Sequence, residues 1–396
     1  MEDACACAAG ARRSSAPFSH LVRHRPPEVD RRQAPRFIPR WLFCPRCRKE
    51  YSPARRFCPE DGARLRANIS ESTFHAKGTK RAGAIFGSRY QVKGLMGTGG
   101  TARAYLADDL FMKRAVVLKL LSPTTDPSGA IKERFAREAK VAIEISHPNV
   151  VKTLDAGVKA DGTPYLVLES LMGETLGDYL KREPVMDADS MLTVLRQAAA
   201  GLGAVHKAGF VHRDVKPDNI FLVGEVGSAF GVKIIDFGFA TQVRKSRSSV
   251  AGMVLGTPQY ISPEQVVSDP TDARTDVYGL GAVMFRALSG KLPFQVDDDM
   301  RMLAHHLLSP APPVRSARAD VDPRFEVVIE SCLRKHPDNR YASMELVAAE
   351  LDRIVGVLPG DPASAPMKVR PDRYDIKSAL GQNAEHVFKD ALAKRR

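Results

Sequence analysis

The sequence, 396 residues long, predicts a mixed α+β fold. Strand-like runs, rich in β-branched and other apolar residues, occur at residues 90–92, 114–119 and 165–169. Residues 190–208 instead place apolar side chains at helical spacing, and residues 132–145 also suit a helix. Three clustered cysteines near the N-terminus predict a separate small module in front of this fold.

Composition limits the class of protein. Hydrophobic residues make up 44% of the chain and charged residues 27%, which is typical of a globular domain with a buried core. No run of apolar residues is long enough for a transmembrane helix. The N-terminus, Met1-Glu2-Asp3, lacks the basic head and apolar stretch of a secretory signal. We therefore expect a cytoplasmic protein without a membrane span.

The positive charge is concentrated at the N-terminus. The formal net charge is +13, and residues 1–83 contribute 18 Lys/Arg against 8 Asp/Glu, a net of +10. Residues 1–40 are rich in Arg, Pro and Ala and are predicted to form a disordered basic arm. Such an arm is either simply solvated or binds nucleic acid, anionic lipid or an acidic protein.

The cysteines of residues 41–66 have the spacing of metal ligands. Cys44 and Cys47 form a C-x-x-C knuckle, while Cys58 and Asp61 occupy the places of a second knuckle. Two such knuckles supply a tetrahedral Zn²⁺ site, and the segment resembles a short zinc ribbon. A module this small has little core, so zinc would supply its folding energy. The alternatives are three unrelated reduced cysteines, or a different fourth ligand from His75, Cys5 and Cys7.

The richest chemistry lies in residues 212–219, which read HRDVKPDN. The carboxylate of Asp214 can orient a hydroxyl group and accept its proton. The amine of Lys216 can neutralise a phosphoryl group in transit, and the amide oxygen of Asn219 can hold a metal ion. Phosphoryl transfer depends mostly on positioning and charge neutralisation, so these three groups predict that reaction.

The same stretch resembles the catalytic loop of protein kinases, H-R-D-x-x-x-x-N, and the Lys-Pro after the aspartate is similar to the serine/threonine branch. Further kinase-like blocks occur in the order typical of the family, at residues 95–105, 114–119, 234–238 and 256–264. The resemblance to bacterial serine/threonine kinases of the eukaryotic-like type covers about residues 86–355. It implies a two-lobed protein kinase fold, with a β-rich N-lobe, a helical C-lobe and ATP between them.

The resemblance also implies how ATP would be bound. Lys119, held by Glu138, would grip the α- and β-phosphates. Glu169 and Leu171 would offer backbone groups to adenine. The phosphate-covering loop would comprise Met96, Gly97, Thr98, Gly99 and Gly100, with Ala104 following it.

By the same resemblance, Asn219 and Asp236 would bind Mg²⁺, Asp214 would orient a Ser or Thr hydroxyl of a protein substrate, and Lys216 would stabilise the γ-phosphoryl group. Lys119 and Glu138 complete the implied catalytic set. The late Arg340 would pair with Glu264 inside the helical lobe.

Three departures from the family pattern leave room for other functions. Ala102 replaces the third glycine of the loop, Ala104 the usual valine, and Val117 a small alanine. They are the only support for the alternative of a pseudokinase scaffold that binds ATP weakly or not at all. A nucleic-acid-binding protein that uses the basic arm and the ribbon is a further alternative. Every charged catalytic position is filled, which favours an active enzyme, and the resemblance implies an autophosphorylating kinase of bacterial signalling.

A regulatory loop is implied after residue 238. Kinases that resemble this chain in having Arg213 before the catalytic aspartate are commonly activated by phosphate in that loop. Here the loop carries Ser246, Ser248 and Ser249 among three cations, which would repel Arg213 until phosphate is added.

The predicted organisation has five segments. Residues 356–396 form a C-terminal tail, in which residues 375–394 have the composition of a helix. In chain order the segments are the arm 1–40, the zinc-ribbon-like segment 41–66, a linker 67–85, the kinase-like domain 86–355 and the tail 356–396.

Overall fold

The computed structural model of this chain describes the following residues, to which all structural statements refer: 42–43, 50–51, 58–60, 66–67, 83–98, 102–121, 139, 142–159, 163–224, 226, 230–236, 258–356, 372 and 384–393. The chain divides into two compact units, residues 1–68 and residues 69–396.

The first unit contains a small antiparallel sheet. Its strands are β1 (Leu42–Phe43), β2 (Glu50–Tyr51) and β3 (Arg66–Ala67), in the order β2-β1-β3. Cys58 is buried within this unit. The other three residues of the predicted zinc site, at positions 44, 47 and 61, lie outside the described residues.

The second unit begins with a six-stranded antiparallel sheet in the order β4-β5-β6-β7-β9-β8. The alternation of buried and exposed side chains along β5 and β6 is that of a sheet covered on one face. The strands are β4 (Ile85–Phe86), β5 (Tyr90–Thr98), β6 (Ala102–Asp109), β7 (Arg114–Leu121), β8 (Thr153–Val158) and β9 (Pro164–Glu169).

Helices dominate the remainder of this unit. They are α1 (Leu176–Arg182), α2 (Ala188–Lys207), α3 (Pro263–Val266), α4 (Ala273–Ser289), α5 (Asp299–Leu308), α6 (Val314–Ala317), α7 (Pro323–Cys332), α8 (Met344–Ile354) and α9 (Ala384–Ala393). A small sheet, β10 (Gly173–Thr175), β11 (Ile220–Val223) and β12 (Gly231–Ile234), is antiparallel throughout. Short 3-10 turns occupy Pro217–Asn219, Pro258–Tyr260 and Pro337–Asn339.

Helix α4 is the centre of the helical part. Nearly all of its residues are buried, as expected of a helix surrounded by others rather than lying on a surface. Gly279 permits a close approach here, because a Cβ at this position would come within 2.9 Å of the Val215 Cβ and 3.1 Å of the Val215 carbonyl oxygen. The missing side chain therefore lets the segment that carries Asp214 pack directly on the core.

The secondary structure predicted from periodicity agrees with the observed elements. The strand-like runs at residues 90–92, 114–119 and 165–169 fall in β5, β7 and β9, and the helical spacing at 190–208 corresponds to α2. Of the predicted helix at 132–145, the described residues 139 and 142–144 are helical, and residue 145 lies outside the helix. The arrangement of a β-rich lobe followed by a helical lobe confirms the predicted two-lobed fold.

Candidate active site

Asp214, Lys216 and Asn219 lie in one hydrogen-bonded group between α2 and β11. The Lys216 ammonium contacts both carboxylate oxygens of Asp214, at 2.9 and 3.2 Å. The Asn219 Nδ2 donates to the Asp214 backbone carbonyl at 2.7 Å and to its Oδ2 at 3.0 Å. The carboxylate is thus held from two sides and remains partly exposed to solvent, where a substrate hydroxyl can reach it.

His212 joins this loop to the end of β12. Its Nε2 lies 3.0 Å from the Ile235 carbonyl, and its Nδ1 lies 3.2 Å from the Asp214 backbone N–H. A carbonyl only accepts and an amide N–H only donates, so the buried ring is the neutral tautomer with its proton on Nε2. The Ile235 N–H also donates to the Asn219 carbonyl at 3.0 Å. These contacts fix the position of Asp236 relative to the loop.

Asp236 forms an ion pair with Lys119, whose Nζ lies 2.7 Å from Oδ1. Lys119 is in the middle of β7, paired in register with Ala104 of β6 and Leu166 of β9. Burial alone would raise the pKa of the Asp236 carboxyl, but the Lys119 ammonium, with a smaller contribution from Lys216, holds this pKa below its usual range. The carboxylate is therefore ionised at neutral pH, as a metal ligand must be.

The backbone ahead of Asp214 is supported by Asp276, a buried carboxylate in the first turn of α4. Its Oδ1 accepts from the Arg213 N–H at 2.7 Å, and its Oδ2 accepts from the His212 N–H at 2.8 Å and contacts His206 Nε2 at 2.7 Å. Arg213 has a left-handed backbone with φ of 66°, which is unfavourable for a side chain with a Cβ. These hydrogen bonds hold that conformation in place.

The predicted nucleotide-contacting residues lie along the β-sheet. Met96, Gly97 and Thr98 form the end of β5, where Gly97 pairs with Ala104 and Thr98 with Arg103. Glu169 ends β9, its N–H donates to the Lys152 carbonyl at 3.0 Å, and its carboxylate pairs with Lys233 at 2.7 Å.

An apolar wall borders the same region. Leu171 and Val117, both partly buried, pack in one apolar cluster with buried Ala102 and Leu168. The two departures from the family pattern at positions 102 and 117 thus supply small or branched apolar side chains to this wall. An apolar surface of this kind suits a flat aromatic base.

Several predicted site residues lie outside the described part of the chain. They are Glu138, Gly99, Gly100, Cys44, Cys47, Asp61, Ser246, Ser248 and Ser249. Among the described residues, no group of three or more His, Cys, Asp and Glu side chains is arranged to hold a metal ion.

The predicted pair of Glu264 and Arg340 is confirmed. The Arg340 Nη1 and Nη2 each lie 2.8 Å from a Glu264 carboxylate oxygen, and both side chains are buried. The remaining guanidinium N–H groups donate to the carbonyls of Arg274, Arg334 and Lys335, and Thr275 Oγ1 donates to Glu264 at 2.7 Å. The pair ties α3 to the turn after α7.

Comparison with protein families matches residues 90–351 to the protein kinase domain. The chain belongs to the protein kinase family. Similar curated proteins include the serine/threonine-protein kinase pkn3 of Myxococcus xanthus, 34% identical over 69% of this chain, and PksC of Streptomyces coelicolor, 35% identical over 71%. PknB of Mycobacterium tuberculosis is 34% identical over 77% of this chain. These matches cover 51%, 51% and 49% of the relatives, so this kinase chain spans about half of their length.

Solved structures show the same fold. The crystal structure of the Mycobacterium tuberculosis PknI kinase domain matches with a TM-score of 0.55 and 23% identity, covering 70% of this kinase and 99% of that chain. Within the described residues, no helix of this kinase is long and apolar enough to cross a membrane.

The sequence did not reveal the supporting residues of the kinase site. Asp276 was not singled out, because an acidic residue in the first turn of a helix is ordinarily a solvated partner of the helix dipole. The pairing of Lys119 with Asp236 was also not predicted. A signal was present for Asp276: it follows a separate N-cap aspartate, Asp272, which already satisfies the first turn of α4.

Proposed function

We propose that this kinase is an active serine/threonine protein kinase that transfers the γ-phosphoryl group of ATP to Ser and Thr hydroxyls of proteins. The observation that carries the proposal is the convergence of Asp214, Lys216 and Asn219, tied through Ile235 to Asp236 and Lys119. The similar curated proteins are themselves named serine/threonine-protein kinases.

In the proposed reaction, Asp214 orients the substrate hydroxyl and accepts its proton. The hydroxyl oxygen forms a bond to the γ-phosphorus while the bond from that phosphorus to the β–γ bridging oxygen breaks, and ADP leaves. The Lys216 ammonium, 2.9 Å from Asp214, lies close enough to neutralise charge on the transferring group. Lys119, supported by Glu138, grips the α- and β-phosphates.

The donor set fits a magnesium ion. The Asp236 carboxylate is ionised and can bind a cation. The Nδ2 of Asn219 donates to Asp214, so the Oδ1 of Asn219 is the atom that would coordinate the ion. Carboxylate and amide oxygens are the hard ligands that Mg²⁺ prefers. When bound, Mg²⁺ would neutralise negative charge on the phosphates. Lys119 would then exchange its contact with Asp236 for one with phosphate oxygens.

The pseudokinase alternative rests on Ala102, Ala104 and Val117 alone. Ala104 pairs with Lys119 in an uninterrupted ladder, and the other two join an apolar wall, so none removes a charged catalytic group. The test is incorporation of phosphate from ATP into protein in the presence of Mg²⁺, compared between the parent chain and Asp214→Asn. Equal incorporation by the two proteins would contradict the assignment.

Activation by phosphate is the proposed regulation. Phosphate on Ser246, Ser248 or Ser249 would carry roughly −1.5 to −2 charges at neutral pH and bind the Arg213 guanidinium. Arg213 Nε donates at present to the Thr271 hydroxyl at 2.8 Å, a neutral acceptor that is weaker than a phosphate oxygen. The unphosphorylated loop would instead repel this arginine.

Replacing Ser246, Ser248 and Ser249 together with alanine is expected to slow phosphorylation of a generic substrate by about 5- to 150-fold, the range of typical regulatory coupling. Intact-mass and peptide mapping of protein made with and without kinase activity identifies the modified serine. A triple variant as fast as the parent would show that the loop is not such a switch.

The N-terminal segment is proposed to bind one structural Zn²⁺ through Cys44, Cys47, Cys58 and Asp61. Support comes from the knuckle spacing and from the burial of Cys58 beside strands of only two residues each, which have little core of their own. We also propose the predicted domain layout. A basic arm precedes the zinc-binding segment, a linker follows it, and a tail follows the kinase domain.

Elemental analysis of protein purified without chelator is expected to find one zinc per chain, bound with Zn–S distances of about 2.3 Å. Cys47→Ser should lose the metal, whereas replacing both Cys5 and Cys7 with serine should keep it. Loss of zinc from Cys47→Ser but not from Asp61→Ala would assign the fourth ligand elsewhere. Absence of zinc from the parent would refute the site.

The kinase is proposed to act in the cytoplasm on bacterial signalling proteins. Its basic arm is proposed to be a solvated extension that attracts an acidic protein or a nucleic acid. The net charge of +10 over residues 1–83 supports electrostatic attraction of this kind. Salt-dependent binding of DNA by the full chain, lost when residues 1–40 are removed, would favour the nucleic acid.

A further inference from the structure

The C-terminal helix α9 has one apolar side that is buried and one polar side that is exposed. Phe388 and Ala391 are buried and Leu392 is partly buried, while Lys389 and Asp390 are exposed. This spacing is that of a helix that lies on a surface along one face. Ten residues are too few for a stable isolated helix, so α9 depends on that contact.

The surface under α9 is formed by α5. Phe388 and Ala391 share one apolar cluster with Leu303, Ala304 and Leu307 of α5 and with Val267, directly after α3. Partly buried side chains around the cluster include Val266, the last residue of α3, and Ile261, which precedes α3. Removing α9 would expose a contiguous apolar face that α5 and α3 share.

The tail that leads to α9 holds α5 at a second place. Asp372 Oδ1 accepts from the Lys335 backbone N–H at 2.7 Å. The buried Lys335 ammonium donates to the carbonyls of His305 and His306 at 3.2 and 2.9 Å, in the last turn of α5. Lys335 thereby binds the C-terminal end of α5, where the carbonyl groups carry partial negative charge. The tail therefore supports both the face and the C-terminal end of α5.

Helix α3 in turn contacts the catalytic loop. The side-chain amide of Gln265 donates from Nε2 to the Arg213 carbonyl at 2.8 Å, and its Oε1 accepts from the Ser262 N–H at 3.1 Å. Arg213 is the residue with the left-handed backbone, and Asp214 follows it. The Arg213 N–H is held by Asp276, so Gln265 fixes the opposite end of the same residue.

We propose that the C-terminal tail is a positioning element of the active site: Phe388, packed on α5, steadies α3 so that Gln265 holds the Arg213 carbonyl and thereby the orientation of Asp214. This inference rests on the proposed phosphoryl transfer by Asp214. It gives a role to the one predicted helix that lies beyond the residues matched to the kinase domain.

The test uses the full chain with Phe388→Ala, the milder Phe388→Leu, and Lys389→Ala as a matched control on the exposed side of α9. Phe388→Ala should lower kcat by about tenfold, within the range found for small misplacements of catalytic groups, and leave the KM for ATP unchanged. Phe388→Leu should recover most of the lost rate, and Lys389→Ala should match the parent. An unchanged kcat in Phe388→Ala would overturn the proposal.

A double-mutant cycle on kcat separates positioning from general loss of stability. If Phe388 acts through Gln265, Phe388→Ala combined with Gln265→Ala should be no slower than the slower single variant. Multiplicative effects of the two changes would overturn the proposed route. Thermal unfolding of each variant, followed by circular dichroism, identifies the temperature at which all of them are folded for the assay.

Hydrogen exchange gives a readout that does not need activity. The N–H groups of Arg213 and of residues 264–267 should exchange faster in Phe388→Ala than in the parent, and at the same rate in Lys389→Ala and the parent. If the parent transfers no phosphate but Phe388→Ala still exchanges faster than the parent, the proposed reaction is refuted while the coupling between α9 and the catalytic loop stands. Unchanged exchange at Arg213 in Phe388→Ala would overturn the coupling itself.

Discussion

Replacing Asp214 with asparagine is expected to slow phosphoryl transfer by about 10²- to 10⁴-fold while ATP still binds. The amide cannot accept the hydroxyl proton, and Lys216 loses the carboxylate that positions its ammonium at 2.9 Å. Lys119 and Asp236, the proposed phosphate and metal contacts, are not changed. Phosphate incorporation into a Ser- and Thr-containing protein measures the first effect, and fluorescence titration with a nucleotide measures the second.

Asp218→Asn is the matched control, because this carboxylate lies in the same loop but is exposed. It removes the same charge four residues away, so a general electrostatic effect would slow both variants alike. We expect the Asp218 variant to keep the parent rate. Comparable losses in the two variants, or loss of nucleotide binding in Asp214→Asn, would contradict the assigned role of Asp214.

Replacing Arg340 with methionine is expected to lower the free energy of unfolding by about 3–5 kcal/mol, the usual result of removing one partner of a buried ion pair. Among the described residues, Glu264 would keep only the Thr275 hydroxyl as a side-chain partner, and the carbonyls of Arg274, Arg334 and Lys335 would lose a donor. Urea denaturation followed by circular dichroism measures the loss.

The loss should depend on pH. Burial raises the pKa of the Glu264 carboxyl and Arg340 lowers it, with Arg340 prevailing in the parent. Without the arginine, burial would leave this pKa above its unfolded value, so the folded variant would bind the extra proton. Its stability should then fall as the pH rises from 5 to 8, since the unfolded chain releases that proton first.

The double variant Glu264→Gln with Arg340→Met controls for the lost packing of the arginine. It removes the uncompensated charge, so it should be more stable than Arg340→Met alone at pH 8 and should lack the fall in stability between pH 5 and pH 8. A single variant that unfolds at the parent's urea concentration would show that the pair contributes nothing to stability.

The catalytic loop could be predicted from the sequence because its functional residues are close together in the chain. Asp214, Lys216 and Asn219 lie within six residues, and the structure joins them by direct hydrogen bonds. The strands that contain Lys119 and Leu166 were also predicted, since runs of β-branched and apolar residues reflect local preferences of the backbone. For Glu264 and Arg340, far apart in the chain, only the resemblance to kinases suggested a pair.

The tertiary structure decides which residues far away in the chain form hydrogen bonds with the catalytic loop. The N-cap aspartate ahead of Asp276 indicates only that Asp276 is not needed to cap α4, and does not show that it accepts a hydrogen bond from the catalytic loop. Nothing near Gln265 in the chain indicates its contact with the Arg213 carbonyl. The left-handed backbone of Arg213 exists because these two side chains hold it, so it has no local signature.

For the C-terminal tail, the sequence predicted the helix but only the tertiary structure revealed its contacts. The composition of residues 375–394 predicted a helix, and α9 occupies residues 384–393, but no pattern in the sequence indicated its surface on α5. By itself, the sequence determined the resemblance to kinases, three of the strands, the helix at residues 190–208 and the residues of the catalytic loop, because these depend on motifs and spacing that are local in the chain. The tertiary structure decided which charges are buried, which side chains hold the loop, and what the tail covers, because burial and pairing depend on packing between segments far apart in the chain.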